Sequence, residues 1–87
     1  MKAIYKYEIL TGGKLLLPNG AIVRKVAAQG NSIYLWAEVY PDRSQLERHF
    51  EVFGTGGEIT ECMGIDRVYL DTVFMGELVF HVYERIN

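Results

Sequence analysis

Apolar and polar residues alternate with a period of two along most of this chain, the spacing of β-strands that bury one face. From Lys2 to Leu10, Ala3, Tyr5, Tyr7 and Ile9 share one face, and Ile4, Lys6, Glu8 and Leu10 share the other. Thr11-Gly12-Gly13 ends that run. Lys14 to Leu17 predicts a short second strand, closed by Pro18-Asn19-Gly20, where proline presets φ and Asn-Gly accepts φ > 0. Ala21 to Gln29 predicts a third strand, and Gly30-Asn31-Ser32 a hairpin turn into a fourth, Ser32 to Tyr40. The fourth is the most strongly patterned: Ile33, Leu35, Ala37 and Val39 on one face, Tyr34, Trp36, Glu38 and Tyr40 on the other. Two apolar faces imply either burial on both sides or an aromatic face reserved for a partner. Pro41 to Glu47 predicts a polar connection with room for one helical turn, and Arg48 to Phe53 the next strand. Arg67 to Phe74 and Glu77 to Arg85 predict a closing hairpin around Met75-Gly76. Glu58 to Asp66 is the least patterned stretch and the place for an irregular or mobile segment. About seven short strands with little helix predict an all-β fold, a compact small sandwich or barrel.

Composition narrows the class. Eighty-seven residues, 49% hydrophobic and 13% aromatic, suffice for one packed core, so residues 1–87 read as a single domain. The one cysteine, Cys62, excludes an intrachain disulfide framework and fits a reducing cytoplasm. The start, Met1 to Lys6, is charged and alternating rather than a signal peptide, and no apolar run reaches membrane-span length. A net charge of -2 and a pI near 5.6 set the expectation of no nucleic acid polymer as partner.

Candidate chemistry is sparse. Phe53-Gly54-Thr55-Gly56-Gly57 is a glycine-dense loop entered from a strand, whose amides and Thr55 hydroxyl suit a phosphate or carboxylate; a loop of this kind is more often a plain turn between strands. Arg43 and Arg48 bracket the polar connection, and guanidinium groups grip phosphate or stack on rings. With Tyr34, Trp36 and Tyr40 on one strand face and the glycine loop, they supply the ingredients of a nucleotide pocket. The plainer alternative makes both arginines solvated charges and Trp36 a core residue. His49 and His81 lack the spacing of a metal site, so no metal and no cofactor is expected, and His81 fits a histidine packed beside the core. Eleven carboxylates are scattered singly, and there is no Gly-x-Ser-x-Gly elbow, so nothing supports an enzyme.

Six segments together carry a resemblance: Ile4-Tyr5-Lys6-Tyr7, Leu17-Pro18-Asn19-Gly20-Ala21, Leu35-Trp36-Ala37-Glu38-Val39, Pro41-Asp42, Phe53-Gly54-Thr55-Gly56 and Val79-Phe80-His81-Val82-Tyr83-Glu84. In order and spacing the chain resembles a family of small bacteriophage proteins catalogued only as a domain of unknown function. It departs where Gly57-Glu58 replaces a His-Pro pair and in a longer Ile59 to Tyr69 stretch. The resemblance implies a protein acting in the cytoplasm of an infected bacterial host. By analogy with phage counter-defence proteins, it implies a homo-oligomeric sponge that sequesters a nucleotide immune signal, such as a cyclic dinucleotide or an ADP-ribose derivative. Trp36, Tyr40, Arg43, Arg48, Gly54, Thr55, Gly56, Gly57 and His81 would then line the site. The alternative is a protein-interaction module that inhibits a host protein or plays an accessory structural role.

Overall fold

Seven strands account for the alternating runs: β1 (Ala3–Ile9), β2 (Lys14–Pro18), β3 (Ile22–Gln29), β4 (Ser32–Val39), β5 (Gln45–Gly54), β6 (Arg67–Met75) and β7 (Leu78–Arg85). The computed structural model describes residues 1–61 and 64–86, and no helix occurs among them. Cys62, in the least patterned stretch, lies outside the described residues. The strands form two antiparallel sheets, three-stranded in the order β1-β4-β3 and four-stranded in the order β2-β5-β7-β6. The Cα extents of 41 × 35 × 18 Å are those of two stacked layers, a flat all-β sandwich.

The core follows from the pattern of β4. Leu35, Ala37 and Val39 are fully buried and Ile33 nearly so, facing Leu17, Phe50, Val73 and Val82 from the other sheet. Tyr34, Trp36, Glu38 and Tyr40 point the opposite way and are only partly buried. Trp36 is therefore an outer-face residue, not a core one.

Gly13 shows why the glycine pair after β1 is needed. It has φ +69°, and a Cβ there would lie 1.8 Å from the Phe50 carbonyl oxygen. Its own carbonyl accepts the Phe50 N–H at 2.7 Å, which starts the β2–β5 pairing. No side chain fits between those backbones.

The sheets also meet at an open seam. β3 is bulged between Val23 and Lys25, and β6 between Tyr69 and Asp71. Bulges twist edge strands away from further pairing. Here the two irregular edges face each other, and Lys25 Nζ lies 3.7 Å from Asp71 across the seam.

One element differs from expectation. The connection after β4 holds no helical turn; β5 begins at Gln45, three residues before the predicted start. Gln45, Leu46 and Glu47 are exposed and carry no local strand signal, yet each pairs with β2, through Pro18, Leu17 and Leu16. A non-local partner extended the strand.

Candidate functional site

The nine residues singled out from the sequence fall in three places. The first is the end of the sandwich where β5 and β7 begin and finish, respectively. There Arg48 points inward from β5 and donates to both carboxylate oxygens of Glu84 on β7, at 2.6 and 2.7 Å. Its remaining amino group donates to the Ala21 carbonyl at 2.6 Å, at the entrance to β3 in the opposite sheet. Glu84 is 9% exposed and is the buried charged residue of the core. The hydrogen bonds Arg48 donates to Glu84 outweigh the cost of burial and hold its guanidinium above its ordinary pKa. Arg48 thus ties the two sheets together.

The second place is the glycine loop on the outer side of the four-stranded sheet. It closes as a tight turn: Gly57 donates its amide to the Gly54 carbonyl at 2.9 Å, and Thr55 donates its amide to Val79 at 3.2 Å. Two of the amides offered for an anion are thereby spent inside the fold. Gly56, at φ +82°, supplies the left-handed backbone of the turn. The turn brings Thr55 Oγ1 to 2.9 Å from His81 Nε2, while His81 Nδ1 meets Thr72 Oγ1 at 3.0 Å. Tyr69 OH bonds the same Thr72 hydroxyl. His81 is thus held by hydroxyls on both sides, a hydrogen-bonded histidine on a sheet surface. Sequence reading named Thr55 and His81 separately; their meeting depends on the β5–β7 register, which sets Phe53 opposite His81.

The third place is the outer face of the three-stranded sheet. Tyr34 and Trp36, two residues apart on the central strand, have ring centroids 6.4 Å apart with planes tilted by 51°. Tyr40 continues the row just past the end of β4. Lys6, paired with Trp36 across β1–β4, sets its Nζ 4.2 Å from the Tyr34 ring centroid and 5.7 Å from that of Trp36. Lys2 Nζ lies 5.9 Å from the Tyr40 ring, and the Arg43 guanidinium stacks on that ring at 4.1 Å. Cations are drawn to ring faces, each contact contributing about 0.5–1 kcal/mol at an exposed site. On the β3 flank stand Lys25, opposite Trp36, and Arg24, whose guanidinium reaches Glu38 at 3.3 Å. Glu38 also accepts from Lys2 at 3.2 Å; these hydrogen bonds, Lys2 first, hold its carboxyl below the usual range. Lys2, Lys6, Arg24 and Lys25 were not singled out from the sequence, because only the sheet register places them beside the rings.

Charge is divided between the two parts of the chain. Residues 1–44, which supply the three-stranded sheet and β2, carry six Lys/Arg against three Asp/Glu; residues 45–87 carry three against eight. The near-neutral total hides a cationic part and an anionic one.

An open cleft of about 660 Å³ lies near the β1–β2 turn and the β3–β4 hairpin, with Ile9, Ile33, Phe53 and Phe80 among its walls. Among the described residues, no three His, Cys, Asp or Glu side chains are grouped to hold a metal ion, and no helix is long and apolar enough to cross a membrane.

Fold and surface together define a small antiparallel β-sandwich with an aromatic, cation-flanked sheet face. The chain belongs to the family described as Domain of unknown function (DUF7352), which matches residues 1–87. No curated protein and no solved structure matches it.

Proposed function

We propose that this chain is a non-enzymatic nucleotide-binding protein that takes a base on the outer face of its three-stranded sheet. The observation that carries the reading is the row of Tyr34 and Trp36 with Lys6 lying over both rings. An aromatic face stacks on any base, and cations beside it meet the phosphates. Lys6 Nζ also donates to Gln29 Oε1 at 2.5 Å, an exposed hydrogen bond, so an incoming base that moves it toward a phosphate must replace that bond as well as the ring contacts. Tyr40 and Arg43 extend the same face, whereas Arg48 has its guanidinium engaged by Glu84 and Ala21.

The biological setting we propose is a bacteriophage protein in the host cytoplasm that sequesters a nucleotide immune signal, a cyclic dinucleotide or an ADP-ribose derivative, without altering it. One flat face covers only one side of such a ligand, so sequestration calls for a homo-oligomer that covers the other. Exposed Ile4 and Ile22, which flank Glu38 on the same face, favour a second reading in which these residues anchor a protein partner.

Trp36 is the sole tryptophan, so its fluorescence reports on the site directly. Titration with a panel of cyclic dinucleotides and ADP-ribose derivatives should quench it saturably. Native mass spectrometry should find the ligand bound and unchanged in mass. Absence of both quenching and adduct across the panel refutes the sponge reading.

A further inference from the structure

We propose that the same face binds single-stranded nucleic acid, with successive bases on Tyr34 and Trp36 and the backbone flanked by the cations of β1 and β3. The inference rests on the base-stacking reading above and extends the ligand from a free nucleotide to a strand.

Spacing decides between single and double strands. Bases in a duplex rise about 3.4 Å per nucleotide. The two ring centroids are 6.4 Å apart. Adjacent bases can occupy both rings only when the strand is pulled out of its helical stack, which a single strand does readily and a duplex does not.

Charge decides for a polyanion. Lys2 and Lys6 stand on the β1 side of the row and Arg24 and Lys25 on the β3 side, so a phosphate on either flank meets a cation, which it must draw from Glu38, Gln29 or Asp71. The expectation that an acidic chain avoids nucleic acid averages over two oppositely charged parts. The anionic groups lie mostly on β5 to β7 and their loops, of which Asp71 reaches the β3 flank at Lys25.

Glu8, opposite Tyr34 on β1, and Glu38 are acidic groups on the face itself, and Glu38 makes the proposal testable. It sits in the row between Trp36 and Tyr40 and engages both Lys2 and Arg24. A phosphate approaching the face competes with that carboxylate for the same two cations. Glu38→Gln removes the competitor and is expected to tighten binding about fivefold, the factor for one unit charge at contact distance in water.

The experiment is titration of Trp36 fluorescence, and of anisotropy on a labelled strand, with an oligothymidylate of about twelve residues. Thymidine monophosphate, a duplex of the same length and inorganic polyphosphate are run beside it. The proposal expects saturable binding of the single strand that is at least tenfold tighter than the monophosphate or the duplex. Trp36→Ala should abolish it, and four cations should give a log–log salt slope near about -3. Thermal unfolding of each variant confirms that it is folded. If the monophosphate quenches Trp36 and the strand binds no tighter, the inference falls while nucleotide binding stands. If no nucleotide or strand quenches it, both fall. If polyphosphate binds as well as the strand, or Glu38→Gln weakens binding, bases do not stack on this face as proposed and the inference is overturned.

Discussion

Removing Arg48 is expected to weaken the fold and leave nucleotide binding intact, the opposite of what its place beside the glycine-loop strand suggests. Its side chain is 24% exposed and that of Glu84 12%, and three short hydrogen bonds join them and Ala21. Taking one partner out of a fully buried pair costs about 3–5 kcal/mol, because the other charge is stranded. Water reaches part of this pair and relieves part of that cost, so Arg48→Ala should lose about 2–3 kcal/mol. For a chain of this size each kcal/mol moves the melting midpoint by about 4–8 °C, giving a fall of roughly 10–20 °C. Circular dichroism melting at neutral pH measures it, with ligand titration of the folded variant at a temperature well below its midpoint. Arg48→Met combined with Glu84→Leu removes both charges at once and should recover most of the loss. A single variant melting within about 2 °C of the parent, or one that stays folded but no longer binds, would refute the assignment of Arg48 as a tie between sheets.

Other outcomes follow from the geometry. Gly13→Ala sets a Cβ against the Phe50 carbonyl at a left-handed φ, and should cost more than about 3 kcal/mol, seen as loss of soluble folded protein. Leu35→Ala, at the centre of the buried face, should cost about 2–5 kcal/mol by urea unfolding. Trp36→Ala, on the outer face, should change stability by less than about 1 kcal/mol. Hydrogen bonding to Arg67 is the main force holding Glu51 below the usual carboxylate range. A lowered folded-state pKa contributes stability that is present above the unfolded pKa and is lost as pH falls through the folded one. Glu51→Gln should therefore lower the midpoint at neutral pH and flatten its fall on the acid side; an unchanged acid limb counts against this.

Strands were legible wherever burial imposed a strict alternation. β4 is the clearest case, since its four aliphatic residues all face the core and its aromatics all face out. The early start of β5 was not legible, because Gln45 to Glu47 have nothing local to mark a strand and take their geometry from β2. The site was legible only in pieces. Trp36 and Tyr40 share a face by simple alternation, but Lys6 reaches the rings through the β1–β4 register and Lys25 through a bulge in β3. Arg48 carried the chemistry of a phosphate ligand and the position of a core residue, and only the placement of Glu84 and Ala21 separates the two. The sign change between the two parts of the chain was present in the sequence throughout, concealed by the net charge.

The order in which the chain visits its sheets sets how it must fold. β1, β3 and β4 build one sheet, with β2 between them in sequence but lodged in the other. Cutting the chain between β4 and β5 would leave β2 without β5, and the four-stranded sheet without an edge. Neither piece is a self-sufficient half. Most pairings join residues far apart along the chain, which places the protein among slow folders, on millisecond-to-second times. Amide exchange of the innermost strands should then occur by whole-molecule opening, with β4 and β5 protected to a similar degree. The aromatic row would appear and vanish with the entire fold, so a truncated version carrying the face alone should not retain it.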